Sequence, residues 1–227
     1  MRLRPLAFLL LALALPASLP LHAADDFSPA ERALFMSRHL ANVKPPATLR
    51  YRYAKRGSLE PGFEDEVKVQ LTPKPDRSCC VAQAEFLSAE RRLALPEVEA
   101  AEGNPVVLYF LERDIREMNR LTKGQSSYFR KRIRMAVYQG AEIRELTLPY
   151  AGKTVAARQI TIAPYLDDPL RERFKNLWNK RYVFTLADAV PGGVYAMSAS
   201  AIGEAGAPPL IEEELVIEGA APPPRQP

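Results

Sequence analysis

The chain has 227 residues, with 31 Lys and Arg against 27 Asp and Glu, a net charge of +4, 47% apolar and 26% charged residues, and two cysteines. Mixed charge with this much apolar material excludes collagen-like, coiled-coil and wholly disordered chains, and it allows one domain-sized core. Proline, at 21 residues, stands well above its usual share of roughly 5%, so long uninterrupted helices are not expected.

The first element is a leader. Arg2 and Arg4 precede the apolar run LAFLLLALAL at residues 6–15, and Pro16, Ser18 and Pro20 lead to small residues at Ala23 and Ala24. This is the layout of a Sec-type signal peptide cut after Ala23. The competing reading is a retained anchor, which the shortness of the run disfavours, because a membrane helix needs about 20 apolar residues. No Cys follows the cut, so lipid modification is not expected. The expected organisation is a signal peptide at residues 1–23, a single α+β domain at 24–218, and a disordered Pro-rich tail at 219–227, in the periplasm.

Ser28-Pro29-Ala30-Glu31 is a capping box with Pro in the first helical position, predicting a helix to about Leu40 that Pro45-Pro46 ends. Strands follow. Leu49, Tyr51 and Tyr53 alternate with Arg50 and Arg52, and Phe63, Val67, Val69 and Leu71 share one parity, the period-2 pattern of half-buried antiparallel strands. A third strand is expected at residues 79–87, with 92–95 continuing the meander. It holds Cys79 and Cys80. Neighbouring side chains on a strand point to opposite faces, so two half-buried free thiols are expected; the alternatives are a vicinal redox or soft-metal site and an intermolecular bridge.

Asn104-Pro105 opens a helix with a Val107, Leu111, Ile115 and Met118 stripe, and Gly124 is placed to stop it. Ser126 or Ser127 caps a second helix with a Phe129, Ile133, Ala136 and Val137 stripe, ending at Gly140. Strands resume with Leu146, Leu148 and Tyr150, turn at Ala151-Gly152, and return through Ile160 and Ile162. Asp168-Pro169 opens a short helix carrying Leu170, Phe174 and Leu177. Tyr182, Phe184 and Leu186, then residues 194–201 and 210–218, supply the remaining strands.

The expected fold is therefore α+β: a strongly curved, mainly antiparallel sheet forming an incomplete barrel, with helices covering its concave face. An exported chain without a lipid-attachment Cys, carrying a leading helix, a meander, a helical insertion and a second meander over residues 28–218, resembles the LolA/LolB fold of periplasmic lipoprotein carriers. The helical insertion at residues 104–138 is longer than the lid of a typical LolA. The resemblance implies an apolar concave face that holds acyl chains; it rests on layout, and no binding residue is carried over from it.

Residues 113–134 concentrate charge. Arg113, Arg116, Arg120, Lys123, Arg130, Lys131, Arg132 and Arg134 stand against Asp114 and Glu117, so the rest of the mature chain is mildly acidic. Arg113, Arg116, Arg120, Lys123, Arg130, Lys131 and Arg134 are the candidate anion-binding residues, for lipid phosphates, an anionic membrane surface or an acidic envelope protein. The competing reading is a solvated helix face neutralised by its own i,i+4 pairs. Tyr51, Tyr53, Phe63, Tyr182, Phe184 and Tyr195 are the candidate lining of an apolar ligand cavity. Export argues against nucleic acid as a partner.

No catalytic motif is present: there is no G-x-S-x-G, H-E-x-x-H, P-loop or dinucleotide glycine pattern. The mature chain has one histidine, His39, expected at a surface or helix-end position. Glu64, Glu66 and Asp168 are explained by a polar strand face and a helix cap. No catalytic residue, metal or cofactor is expected. The function expected is an exported carrier or binding protein for an apolar or lipidic ligand, the alternative being a non-enzymatic envelope adaptor that docks an acidic partner.

Overall fold

The structure is a computed structural model that describes residues 27–74, 76, 79–203 and 208–224; the leader expected at residues 1–23 lies outside the described residues, as do the last three residues of the expected tail. Eight strands form one antiparallel sheet: β1 (Ala47–Arg56), β2 (Phe63–Thr72), β3 (Val81–Phe86), β4 (Glu142–Tyr150), β5 (Lys153–Ile162), β6 (Arg181–Leu186), β7 (Val194–Ala201) and β8 (Ile211–Ile217). The order is β3-β2-β1-β8-β7-β6-β5-β4. Two meanders are joined where the first strand meets the last, with Tyr51 opposite Ile217 and Tyr53 opposite Leu215. The sheet is not closed, so this is the α+β fold with an incomplete curved sheet.

The inner face follows from parity. Leu49, Tyr51 and Tyr53 on β1 face Val69, Val67 and Asp65 on β2, and Ile160, Phe184, Met197 and Leu215 continue the row across β5, β6, β7 and β8. Ala151 (φ 48°) and Gly152 (φ 76°) both adopt left-handed backbone, the requirement of the tight turn that matches strand twist between β4 and β5.

The helical pair is α2 (Val106–Thr122) and α3 (Ser126–Gln139), preceded by the short α1 (Pro29–Glu31). It connects β3 to β4, which are the two edges of the sheet. Seven strand spacings amount to about 34 Å, and α2 alone is about 25 Å long, so the connection crosses the sheet over its face. The stripe Val107, Phe110, Leu111 and Met118 of α2, with Phe129 and Val137 of α3, is buried in the common core. Among the described residues no helix is long and apolar enough to cross a membrane.

Local signals hold in part. The Ser28 capping box forms: Glu31 N donates to Ser28 Oγ at 3.1 Å and Ser28 N to Glu31 Oε2 at 2.8 Å. The helix it starts does not reach Leu40. It passes into a π turn at Arg32–Met36, and a separate turn covers His39–Asn42. Two side chains take the freed carbonyls, Ser37 Oγ donating to Arg32 O at 3.0 Å and His39 Nε2 to Ala33 O at 2.8 Å. Asn104 accepts from Val106 N, and α2 ends at Lys123 in left-handed backbone rather than at Gly124. Gly124 is needed for another reason: a Cβ there would lie 2.5 Å from the Phe129 ring.

Three expectations are corrected. Cys79 and Cys80 are joined to each other as a vicinal disulfide just ahead of β3, not held as thiols within it. Residues 92–95 do not continue the meander as a strand; Leu93, like Val98 beyond it, makes a single bridge back to β3. Residues 219–224 are held in place, because Ala220 bridges Tyr150 and the Tyr195 hydroxyl donates to Ala221 O at 2.9 Å.

The inner face also carries charge. Asp114 on α2 pairs with Lys180 just ahead of β6, both with no exposure, and the Tyr182 hydroxyl donates to Asp114 Oδ2 at 2.5 Å. Removing one partner from a buried pair leaves an uncompensated charge. Lys180→Met should therefore cost about 3–5 kcal/mol of unfolding free energy in urea titrations, and Asp114→Asn combined with Lys180→Met should regain part of the loss.

Candidate functional site

The cations of the helical pair divide by the direction they face. On one side α2 docks on the sheet. Arg113 donates to Glu213 of β8 at 2.5 Å, Lys55 of β1 reaches Glu117 at 2.6 Å and Glu60 at 2.8 Å, and Arg120 holds both Glu60 and Glu117. Lys55 and Glu213 sit on the inward parity of their strands, 6% and 1% exposed. Burial pulls the Glu117 carboxyl upward, but hydrogen bonds from Arg120 and Lys55 outweigh it and hold it at about 2. Arg113 and Arg120 thus serve as docking residues.

On the other side, Arg130 of α3 grips Glu112 of α2 with two bonds, Nε to Oε2 at 3.0 Å and Nη2 to Oε1 at 2.8 Å, and Arg116 approaches the same carboxylate at 3.5 Å. The Arg130 hydrogen bond holds the Glu112 carboxyl below its ordinary range. Arg132 turns away to Asp168, at 2.7 Å, where Tyr128 also donates. Lys123, Lys131 and Arg134 are exposed, and none of the three has an ion-pair partner among the described residues.

Beside this second group lies an apolar groove of about 680 Å³, within the usual range of small-molecule sites, about 300–1,000 Å³. Its floor includes Leu111 and Ile115 of α2 and Ile133 of α3; Phe35 and Met36 of the π turn and Leu95 of the loop after β3 form walls. Arg116, Arg130, Arg134 and Glu112 also line it. Several walls are open to solvent: Leu108 is 58% exposed, Met36 51% and Phe27 47%. Apolar groups exposed together in this way mark a surface shaped for a ligand or partner.

The six aromatics expected to line a cavity lie elsewhere. Tyr51, Tyr53, Tyr182, Phe184 and Tyr195 have no exposure, Phe63 is half-buried, and none of the six lines the groove. The reason is the helical pair, which fills the inner face. Three of the four tyrosine hydroxyls are spent on structure: Asn104 Nδ2 donates to Tyr51 Oη at 2.8 Å, Tyr182 donates to Asp114 and Tyr195 donates to Pro149 O at 2.8 Å, while the buried Tyr53 hydroxyl has no hydrogen-bond partner among the described residues. Burial pushes the Tyr51, Tyr53 and Tyr182 phenols above their ordinary range.

His39, expected at the surface, is 8% exposed. Its Nδ1 accepts from Asn104 N at 3.2 Å while Nε2 donates to Ala33 O, and burial lowers its pKa. Glu64 and Glu66 lie on the outer face beside Arg56 and Arg50. Asp168 caps the turn that follows, accepting from Leu170 N at 2.7 Å.

The groove escaped sequence reading because its lining comes from four separated segments. One signal was present: Leu108 lies off the stripe that α2 buries.

No protein-family model matches the chain, and no curated protein matches it significantly in sequence. Among solved structures, the chain is similar to lipoprotein LppX of Mycobacterium tuberculosis, at 9% identity and a TM-score of 0.33, over 86% of this chain and 95% of that one. This is a weak architectural likeness.

The Glu117 geometry sets an acid limit. A carboxyl held at about 2 in the fold, against an ordinary 4.5, contributes stability that is complete above about 4.5 and is lost as pH falls toward about 2. Urea midpoints should therefore fall over that window, and Glu117→Gln should be less stable near neutral pH with a flatter acid limb.

Proposed function

We propose that this chain is an exported, non-enzymatic binding or carrier protein for an apolar, lipid-like ligand, and that the ligand's apolar part lies in the groove between α2, α3 and residues 27–36. The observation that carries this reading is the groove itself: about 680 Å³ lined by Leu, Ile, Phe and Met side chains, several of them left in water. Leaving such groups exposed forgoes burial worth about 25 cal/mol per Å², and a ligand's apolar chain would recover it.

The proposed export, to the periplasm, is supported by the leader-like sequence of residues 1–23. Lys123, Lys131 and Arg134, on the solvent side of the helical pair, supply attraction to an anionic membrane surface, each about 1 kcal/mol when close to it. The adaptor reading has less support, because Arg113 and Arg120 are engaged with Glu213, Glu60 and Glu117 where α2 docks on the sheet.

The test is direct. An organic extract of the purified protein, examined by mass spectrometry, should contain co-purified lipid. Leu108→Glu, on an exposed helix position where substitutions cost little stability, should deplete that lipid while leaving the thermal melt within a few degrees. Absence of lipid from the parent protein, in extract and after incubation with vesicles, would remove the reading.

A further inference from the structure

The groove is lined mainly by apolar side chains but also by charged ones, and these have a definite chemistry. Arg116, Arg130 and Arg134 stand there with Glu112. Glu31, also on the lining, has its carboxylate engaged by the Ser28 amide at 2.8 Å. Arg130 and Arg116 meet at Glu112 across the junction of α2 and α3, and Arg134 lies one turn further along α3 from Arg130, on the lining of the same groove.

Glu112 sits in the Arg130 fork as a bound carboxylate would, with both oxygens engaged at 3.0 and 2.8 Å. Arg116 uses only its Nε, at 3.5 Å, and Arg134 has no carboxylate partner among the described residues. Three guanidinium groups against Glu112 leave an excess of two positive charges, reduced to one when Glu31 is included. Guanidinium forks match the planar or tetrahedral oxygens of carboxylate and phosphate, which an ammonium does not.

On the basis of the function proposed above, we infer that the ligand is a single-chain anionic amphiphile. Its acyl chain lies over Leu111, Ile115 and Ile133, and its carboxylate or phosphate headgroup sits among Arg116, Arg130 and Arg134. Glu112 acts as the internal anion that the headgroup displaces from the Arg130 fork. The volume suits one chain, since it is that of a site for a drug-sized molecule.

Calorimetric titration of the purified protein with dodecanoate, dodecyl phosphate and dodecanol tests this. At least one of the two anions should bind about tenfold more tightly than the alcohol, and the tighter anion identifies the headgroup. Arg134→Gln should bring the anions close to the alcohol without changing the alcohol's own affinity. Glu112→Gln, which frees the forks, should strengthen the anions and leave the alcohol unchanged. Equal affinity for all three, or an anion preference indifferent to Arg134→Gln and Glu112→Gln, would overturn the headgroup assignment while leaving the apolar groove standing. No binding by any of the three, or binding unaffected by Leu108→Glu, would overturn the groove reading and this inference together.

Discussion

Helix α2 is held to the sheet by ion pairs that join distant parts of the chain: Arg113 to Glu213, Asp114 to Lys180, and Glu117 to Lys55. Each pair places charge where water is scarce, and an unpaired ion there costs several kcal/mol. A rotation of α2 by one residue would separate all three at once. The pairs therefore set the helix's orientation more strictly than its apolar stripe, which tolerates small rotations.

The rest of the architecture follows from that orientation. With α2 seated, the inner face of the sheet is filled, and the aromatic row from Tyr53 to Phe184 becomes core. The side of α2 that carries Leu108, Glu112 and Arg116 then looks toward α3 and the segment from Phe27 to Met36, and the groove opens there. The concave face implied by the LolA/LolB resemblance as the acyl-chain site is occupied by the protein's own side chains, whereas the open apolar surface lies on the far side of the helices.

Local patterns were legible wherever the physics is local. The Ser28 capping box, the Ala151-Gly152 turn and the alternation of β1 and β2 depend on residues within a few positions of one another, and each formed. The leading helix was overestimated because Ser37 and His39 side chains compete for its last carbonyls, a contest that apolar spacing does not register. Lys55 and Glu213 lie on buried parities of their strands, which was a visible anomaly, but a charged residue at such a position reveals nothing about its partner.

The sequence by itself determined the class of fold, the succession of strands along the chain and the concentration of cations at residues 113–134, because periodicity, capping and composition act over short distances. Only the tertiary structure decided which of those cations are latches, which share a carboxylate and which are open to a ligand. Arg113 and Arg134 are indistinguishable as letters in one basic stretch. One meets Glu213, a hundred residues away and 1% exposed, and the other meets solvent at the edge of an apolar groove. Electrostatic worth depends on partners and local dielectric, and both are properties of the assembled fold.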